Sequence, residues 1–167
     1  CISSAASDVY KRQMTSRQVV AVVPGSGITS LSGLAGKNVA VQATTKPEEI
    51  FLSDTDERIP ALRNVFSVQD RELIYPMLSK GYVDAVAAHE TSILQYMHDY
   101  GVEYRILEEP LLTVGLGVAF ARSDTRGTDV QLGQTLEQMR TDGTTKKIIE
   151  RYLPSAEGYL EVARNAG

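Results

Sequence analysis

The chain has few of the residues that build metal sites or covalent frameworks. Its 167 residues include one cysteine, Cys1, and two histidines, His89 and His98. One cysteine cannot form an internal disulfide, and two histidines without further cysteines leave a zinc ligand set incomplete. We therefore expect no metal and no bound cofactor.

Long apolar runs and runs of one charge are also missing. No stretch of about 18 or more apolar residues occurs, so the sequence predicts no membrane-spanning helix. The net charge is −4, and no five consecutive residues carry the same sign. Nothing would attract the phosphates of a nucleic acid or an anionic membrane, and we expect neither as a partner. Hydrophobic residues at 43% and charged residues at 23% are ordinary for a soluble globular protein.

The N-terminus lacks the basic, apolar and small-residue pattern of a secretory signal. Asp8-Val9-Tyr10-Lys11-Arg12-Gln13 resembles the translation of a transposon-end adapter used in preparing sequencing libraries. We interpret residues 1–13 as a non-native tail and leave them out of the fold prediction. Cys1 is then not the acylated cysteine of a mature lipoprotein.

Strands and helices alternate through the middle of the chain. A valine-rich run, Arg17–Val23, predicts a buried strand that ends at Pro24-Gly25-Ser26-Gly27. From residue 38 to 107 the patterns predict strands at Asn38–Gln42, Asn64–Val68, Val83–Ala88 and Glu103–Leu107, with helices at Thr45–Phe51, Asp70–Lys80 and Glu90–Tyr100. Pro76 implies a kink or a late start of the second helix. This alternation predicts an α/β lobe with a mainly parallel sheet.

The last third predicts one more strand and a helical tail. Thr113–Ala121 is a nearly continuous apolar run, as expected of a strand that is covered on both sides. Helices are predicted at Asp129–Arg140, Thr144–Leu153 and Ala156–Ala163. No GxxxxGKS/T or GxGxxG motif follows a strand, which excludes a P-loop or Rossmann nucleotide-binding enzyme.

Five motifs along the chain resemble those of bacterial extracytoplasmic solute-binding proteins of the amino-acid-binding type. Each is short, but they occur in the family's order between residue 17 and about residue 153. They are the run Ser30–Gln42, which is similar to SL-x-DL-x-GK-x-VAVQ; Ala43-Thr44-Thr45, in the place of Gly-Thr-Thr; Leu78–Val86, similar to L-x-x-G-x-VDAVV; Gly117–Phe120, at the family's return hinge; and Met139–Thr144, similar to M-x-x-DGT.

The resemblance implies the fold of a type II periplasmic binding protein, with two α/β lobes joined by two crossing strands. Residues 14–24 would be the first hinge strand, 25–112 a complete second lobe, 113–121 the return hinge strand, and 122–167 the C-terminal helical segment of the first lobe. Most of the first lobe, with the arginine that pairs with the ligand's α-carboxylate, would be missing. We expect Val19–Val23 and Leu116–Phe120 to lie side by side.

Gln42, Ala43, Thr44 and Thr45 are candidate ligand-binding residues at the junction between a strand and a helix. A helix N-terminus offers unpaired N–H groups and partial positive charge to an anion such as a carboxylate. In the family, the second threonine donates a hydrogen bond to that carboxylate. The alternative is that Thr45 only caps its helix, in a capping box with Glu48.

His89 and Glu90 are the candidates for the ligand's amino end. In the family the strand after Val-Asp-Ala-Val ends in an aspartate that binds the ammonium group, and His89 occupies that position here. Either Glu90 takes over this role or the ligand is not a plain α-amino acid. Glu90 is equally well explained as a solvated first-turn residue. By the same resemblance, Asp84 holds the local loop and does not contact ligand.

By this resemblance the chain is the substrate-binding component of an ABC-type transporter and captures an amino acid or similar small polar solute. Its partners would be that solute and the transporter's membrane subunits. It would be extracytoplasmic, either periplasmic or a cell-surface lipoprotein, and not an enzyme. The alternative is the ligand-sensing domain of a membrane signalling protein. A dehydratase-type enzyme on the same fold would need His89 and Glu90 as an acid–base pair, but adjacent residues at a helix start point apart.

Overall fold

The computed structural model describes residues 7–53, 55–121, 126–153 and 156–160, without the side chains of residues 7–13, 119, 121, 157 and 158. The strands are β1 (Ser7–Val22), β2 (Asn38–Gln42), β3 (Asn64–Val68), β4 (Ala85–His89), β5 (Arg105–Ile106) and β6 (Leu112–Ala121). The helices are α1 (Lys46–Ser53), α2 (Ile74–Ser79), α3 (Glu90–Tyr100), α4 (Thr128–Thr141), α5 (Thr144–Ile149) and α6 (Glu157–Leu160). Short 3₁₀ helices occupy Leu31–Leu34 and Arg71–Leu73.

The chain divides into two compact units. One is Arg17–Thr113, and the other combines Cys1–Ser16 with Val114–Gly167. The chain passes between them within β1 and again within β6. The finer division into hinge strands and lobes stays a prediction.

A mixed sheet organises the Arg17–Thr113 unit. Its strand order is β3-β2-β4-β1-β5, and β6 also pairs with β1. β2 is parallel to both β3 and β4, whereas β1 is antiparallel to β4 and β5. The sheet therefore has the predicted parallel strands on one side of β1 and an antiparallel arrangement around β1 itself.

Both faces of this sheet are covered, which explains why its central strands are apolar at successive positions. One face carries the cluster that includes Val20, Val22, Val39, Val41, Ala85 and Ala87, packed with Leu31, Leu34, Phe51, Leu107 and Leu111. The other face carries Val19, Ala21, Ala40, Val86 and Ala88, packed with Ile74, Tyr75, Leu78 and Ile93. Successive residues of each strand therefore pack into the cores on opposite faces of the sheet.

Three sequence-based boundaries need correction. β1 begins at Ser7, well before the predicted start at Arg17, because β6 offers it a hydrogen-bonding partner that its own mixed composition does not reveal. β5 is only Arg105–Ile106. α5 ends at Ile149 instead of Leu153. Of the predicted helix Ala156–Ala163, the residues beyond 160 lie outside the described part of the chain.

β1 and β6 pair as predicted, but not in the predicted register. Between Val19 and Val22, β1 has β4 along one edge and the β5 segment along the other. The N–H of Leu111, just before β6, already donates to the carbonyl of Gln18 at 2.9 Å. Ala21 and Val22 thus have both edges occupied by β4 and β5 before β6 begins. Leu116–Phe120 therefore does not lie beside Val19–Val23.

Pro76 produces a late helix start. The segment begins with the 3₁₀ turn Arg71–Leu73, and α2 follows from Ile74. Pro76 then lies in the first turn of α2, where a missing N–H removes no intrahelical hydrogen bond. Of the two alternatives that the sequence left open, the structure has the late start.

The Val114–Gly167 part of the second unit has a small core. Ile149, Ala156 and Tyr159 are buried and pack with Met14, Leu153 and Leu160. α4 has no buried residue, and its apolar positions Leu132, Leu136 and Met139 are only half-buried.

Asp84 ties the start of β2 to the turn before β4. Its Oδ2 accepts from the N–H of Asn38 at 2.8 Å, and its own N–H donates to the Asn38 carbonyl at 2.9 Å. The Asn38 side chain in turn accepts from Asn64 Nδ2 at 2.9 Å, at the start of β3. These bonds align the amino ends of three parallel strands.

We predict that Asp84→Ala lowers the free energy of unfolding by about 1–3 kcal/mol, the usual cost of losing a hydrogen bond to a charged group. Asp84→Asn is the matched control, because it keeps an oxygen acceptor and should lose clearly less. Urea unfolding followed by far-UV circular dichroism measures both. An unchanged midpoint in Asp84→Ala would show that the bond contributes nothing to stability.

Candidate ligand site

A cavity of about 230 Å³ opens in the Arg17–Thr113 unit at the carboxyl ends of the parallel strands. β2 ends at Gln42 and β4 ends at His89, and because the two strands are parallel these ends share one edge of the sheet. Ligands of open α/β sheets bind at this edge. The cavity is lined by Gln18, Gln42, Thr45, Lys46, Pro47, Arg71, Ala87, Ala88 and His89.

A partly buried polar pair lines one side of the cavity. Gln18 on β1 is opposite His89 on β4, and Gln18 Nε2 lies 2.9 Å from His89 Nε2. The amide nitrogen can only donate, so the ring nitrogen accepts, which requires a neutral imidazole with its proton on Nδ1. Burial, and secondarily the positive charge of Arg71, holds the pKa of His89 below its usual range. Both observations describe an uncharged histidine at neutral pH.

The segment between β2 and α1 forms a tight turn at the rim. Thr44 has a φ of +61°, a left-handed conformation that is uncommon for a non-glycine residue. Its N–H donates to Glu48 Oε2 at 2.6 Å. Hydrogen bonds from Ser67, and then from this N–H, lower the pKa of the Glu48 carboxyl group.

Thr45 does not form the predicted capping box. Its Oγ1 donates to the Gln42 carbonyl at 2.6 Å, which closes the end of β2, and Glu48 bonds to Thr44 instead. The left-handed turn at Thr44 brings its N–H to the Glu48 carboxylate. In a capping box, Glu48 would accept from the N–H of Thr45 instead. The Thr45 side chain nonetheless lines the cavity directly before the first turn of α1.

Glu90 does not line the cavity. Its Oε1 lies 3.3 Å from Nη1 of Arg17, with the Glu90 side chain mostly buried. This ion pair engages Glu90, which is not among the residues that line the cavity. Glu90 and His89 therefore do not form an acid–base pair within one site, in agreement with the expectation for adjacent positions.

Of the six residues that the sequence nominated, the structure brings Gln42, Thr45 and His89 together around one cavity, whereas Ala43, Thr44 and Glu90 are outside its lining. Arg71 and Gln18 also line the cavity and were not predicted from the sequence. Arg71 comes three residues after the end of β3, at the same edge of the sheet. Its position after a predicted strand could have indicated that it lies near the cavity. Gln18 has no such signal, because its place depends on the register between β1 and β4.

The fold is that of type II periplasmic binding proteins. Substrate binding domain 2 of GlnP from Lactococcus lactis, solved in an open conformation, matches with a TM-score of 0.72 at 22% identity. The match covers 90% of this chain and 63% of that one. The predicted fold class is thus confirmed.

Two curated relatives are named as binding proteins. The chain is 25% identical over 137 residues to "Probable amino-acid-binding protein YxeM" of Bacillus subtilis, covering 81% of this chain and 50% of that protein. It is 31% identical over 81 residues to "Glutamate-binding protein GluB" of Corynebacterium glutamicum, covering 46% of this chain and 27% of that protein. The chain spans half of the first relative and about a quarter of the second. No family model matches it.

Among the residues that the structure describes, no helix is both long enough and apolar enough to cross a membrane.

We predict that His89 titrates below about 6.5, the value of an exposed histidine. In a His98→Gln background His89 is the one remaining histidine, so its ring resonances can be followed by NMR without ambiguity. Arg71→Gln should raise the pKa only part of the way, because burial is the larger cause. A midpoint at or above 6.5 would contradict the neutral, Gln18-bonded ring.

The lowered pKa of His89 also determines how the free energy of unfolding changes with pH. The unfolded chain binds a proton near pH 6.5, while the folded chain resists protonation at His89 until lower pH. The contribution of His89 is therefore full above pH 6.5 and decreases as the pH falls toward its folded pKa. His89→Gln should flatten the fall in unfolding free energy below pH 6.5.

Proposed function

We propose that this chain belongs to the substrate-binding component of an ABC-type transporter and captures an amino acid or similar small polar solute in the cavity at the ends of β2 and β4. The observation that carries the proposal is the convergence of Gln42, Thr45 and His89 on one cavity at the sheet edge where ligands of α/β folds bind. The fold and the names of the two curated relatives support it.

The first turn of α1 is the proposed place for the solute's carboxylate. α1 begins at Lys46, and its first N–H groups have no helical partner, so they suit an anion together with the partial positive charge of the helix start. Thr45 and Pro47 line the cavity on this side. Ala43 and Thr44, at the rim, would contact only a ligand that extends out of the cavity.

Residues 25–112 are proposed as the ligand-binding lobe, with the importer's membrane subunits as partners outside the cytoplasm. Gln18 of β1 bonds to His89 of this lobe, and with the Asp84 bonds this contact supports a preformed site. A small solute then needs little rearrangement of the lobe itself, which limits the free-energy cost of binding.

Binding can be tested on the ¹⁵N-labelled chain by recording amide chemical shifts during titration with a panel of L-amino acids. This measurement detects affinities in the millimolar range, which correspond to only about −4 kcal/mol. The expected shifts are at Gln42, Thr45, Arg71 and His89. A panel in which no amino acid moves these amides would contradict the proposal.

We predict that Thr45→Ala weakens amino-acid binding by about 1 kcal/mol, because the one hydroxyl proton donates to the Gln42 carbonyl in the free chain and has to exchange that acceptor for the ligand's carboxylate. It should also lower the free energy of unfolding by about 0.5–1.5 kcal/mol, since the bond to the Gln42 carbonyl is lost. Thr45→Ser keeps the hydroxyl and is the matched control. Full affinity in Thr45→Ala would remove Thr45 from the site.

A further inference from the structure

We propose that the cavity selects a solute with a second carboxylate, such as an acidic amino acid, and that Arg71 determines this specificity. The inference rests on the proposed function, because it names the ligand class of the same cavity.

The charged side chains that line the cavity are all cationic. Lys46 and Arg71 contribute two cationic groups, and the remaining polar lining residues are uncharged or, in the case of His89, held neutral. Within the described part of the chain, no aspartate or glutamate lines the cavity. A cationic solute would meet like charges without a carboxylate partner, whereas each additional carboxylate on the solute gains attraction.

Of the two cations, Arg71 has the longer ion-pair distance to a carboxylate of the chain. Lys46 Nζ lies 2.6 Å from Glu49 Oε2, whereas Arg71 Nη2 comes only within 3.9 Å of Glu72 Oε1. A pair at 3.9 Å is too long for a charge-assisted hydrogen bond. The guanidinium of Arg71 therefore retains N–H groups that can bind a carboxylate with two parallel bonds.

The backbone around Arg71 is held in place. Asp70 Oδ1 accepts from the N–H of Glu72 at 2.9 Å, which closes the 3₁₀ turn that carries Arg71. Arg71 and His89 line the same cavity, and the positive charge of Arg71 contributes, after burial, to the lowered pKa of His89. A carboxylate between the α1 N-terminus and Arg71 would meet positive potential from both sides.

The amino end of the solute finds no matching anion. His89, at the position where the resembling family has an aspartate, is neutral, and its Nε2 bonds to Gln18. Glu90, the other candidate, is paired with Arg17. Recognition in this cavity therefore depends on carboxylates more than on the ammonium group.

Three ligands of nearly equal size separate these contributions: L-glutamate, L-glutamine and glutarate. Titrated into the ¹⁵N-labelled chain, glutamate should bind roughly tenfold or more tightly than glutamine, because only glutamate offers a second charged acceptor. Glutarate, which lacks the amino group, should bind within a few-fold of glutamate. Glutamine binding as tightly as glutamate would overturn this inference while the proposed function stands.

Arg71→Gln should reduce the preference for glutamate over glutamine to about threefold or less, and Arg71→Lys should keep part of it. The matched control is Arg63→Gln, which removes the same charge from an exposed residue outside the cavity and should leave the preference intact. Dispersed amide spectra confirm that each variant is folded. A preference that survives in Arg71→Gln, or that falls equally in Arg63→Gln, would overturn the role of Arg71. No shift with any amino acid would overturn the proposed function, and this inference with it.

Discussion

The pairing of β1 with β4 is the constraint on which the cavity depends. β1 is the central antiparallel strand, and its register with β4 places Gln18 opposite His89 and Val22 opposite Ala85. A slip by one residue would reverse the facing of every β1 side chain, exchange the two cores and remove Gln18 from His89. The buried valines and alanines of both strands make such a slip costly, so packing of the core also fixes the polar pair that lines the cavity.

The sequence predicted those parts of the fold that depend on local patterns. β2 at Asn38–Gln42, β3 at Asn64–Val68 and α3 at Glu90–Tyr100 have the predicted bounds. Each is a short apolar segment or amphipathic run between clear breakers, and Gly101 ends α3 in a left-handed conformation. Pro76 limited the predicted helix to a kink or a late start, because a missing N–H is tolerated without a kink only near a helix start.

What the sequence could not predict depends on contacts between distant segments. The extent of β1 is set by β6, nearly a hundred residues away, and the apolar pattern of β1 itself gave no sign of the register. Arg71 follows a predicted strand, but its place at the cavity depends on β3 lying beside β2. For Glu90, the first residue of α3, the sequence left two roles open, and its ion-pair partner Arg17 lies on β1, more than seventy residues away.

The neutral state of His89 follows from the same arrangement and determines the electrostatics of the cavity. Protonation would place a second charge near Arg71, in a half-buried position, and would leave two donors facing each other between the ring and Gln18. Both effects oppose the charged ring, so the positive potential in the cavity comes from Arg71 and Lys46. An aspartate at this position would cancel part of that potential and would provide a partner for an ammonium group. With histidine there, the Gln18–His89 pair is satisfied without a charge, and the potential of Arg71 and Lys46 is not cancelled.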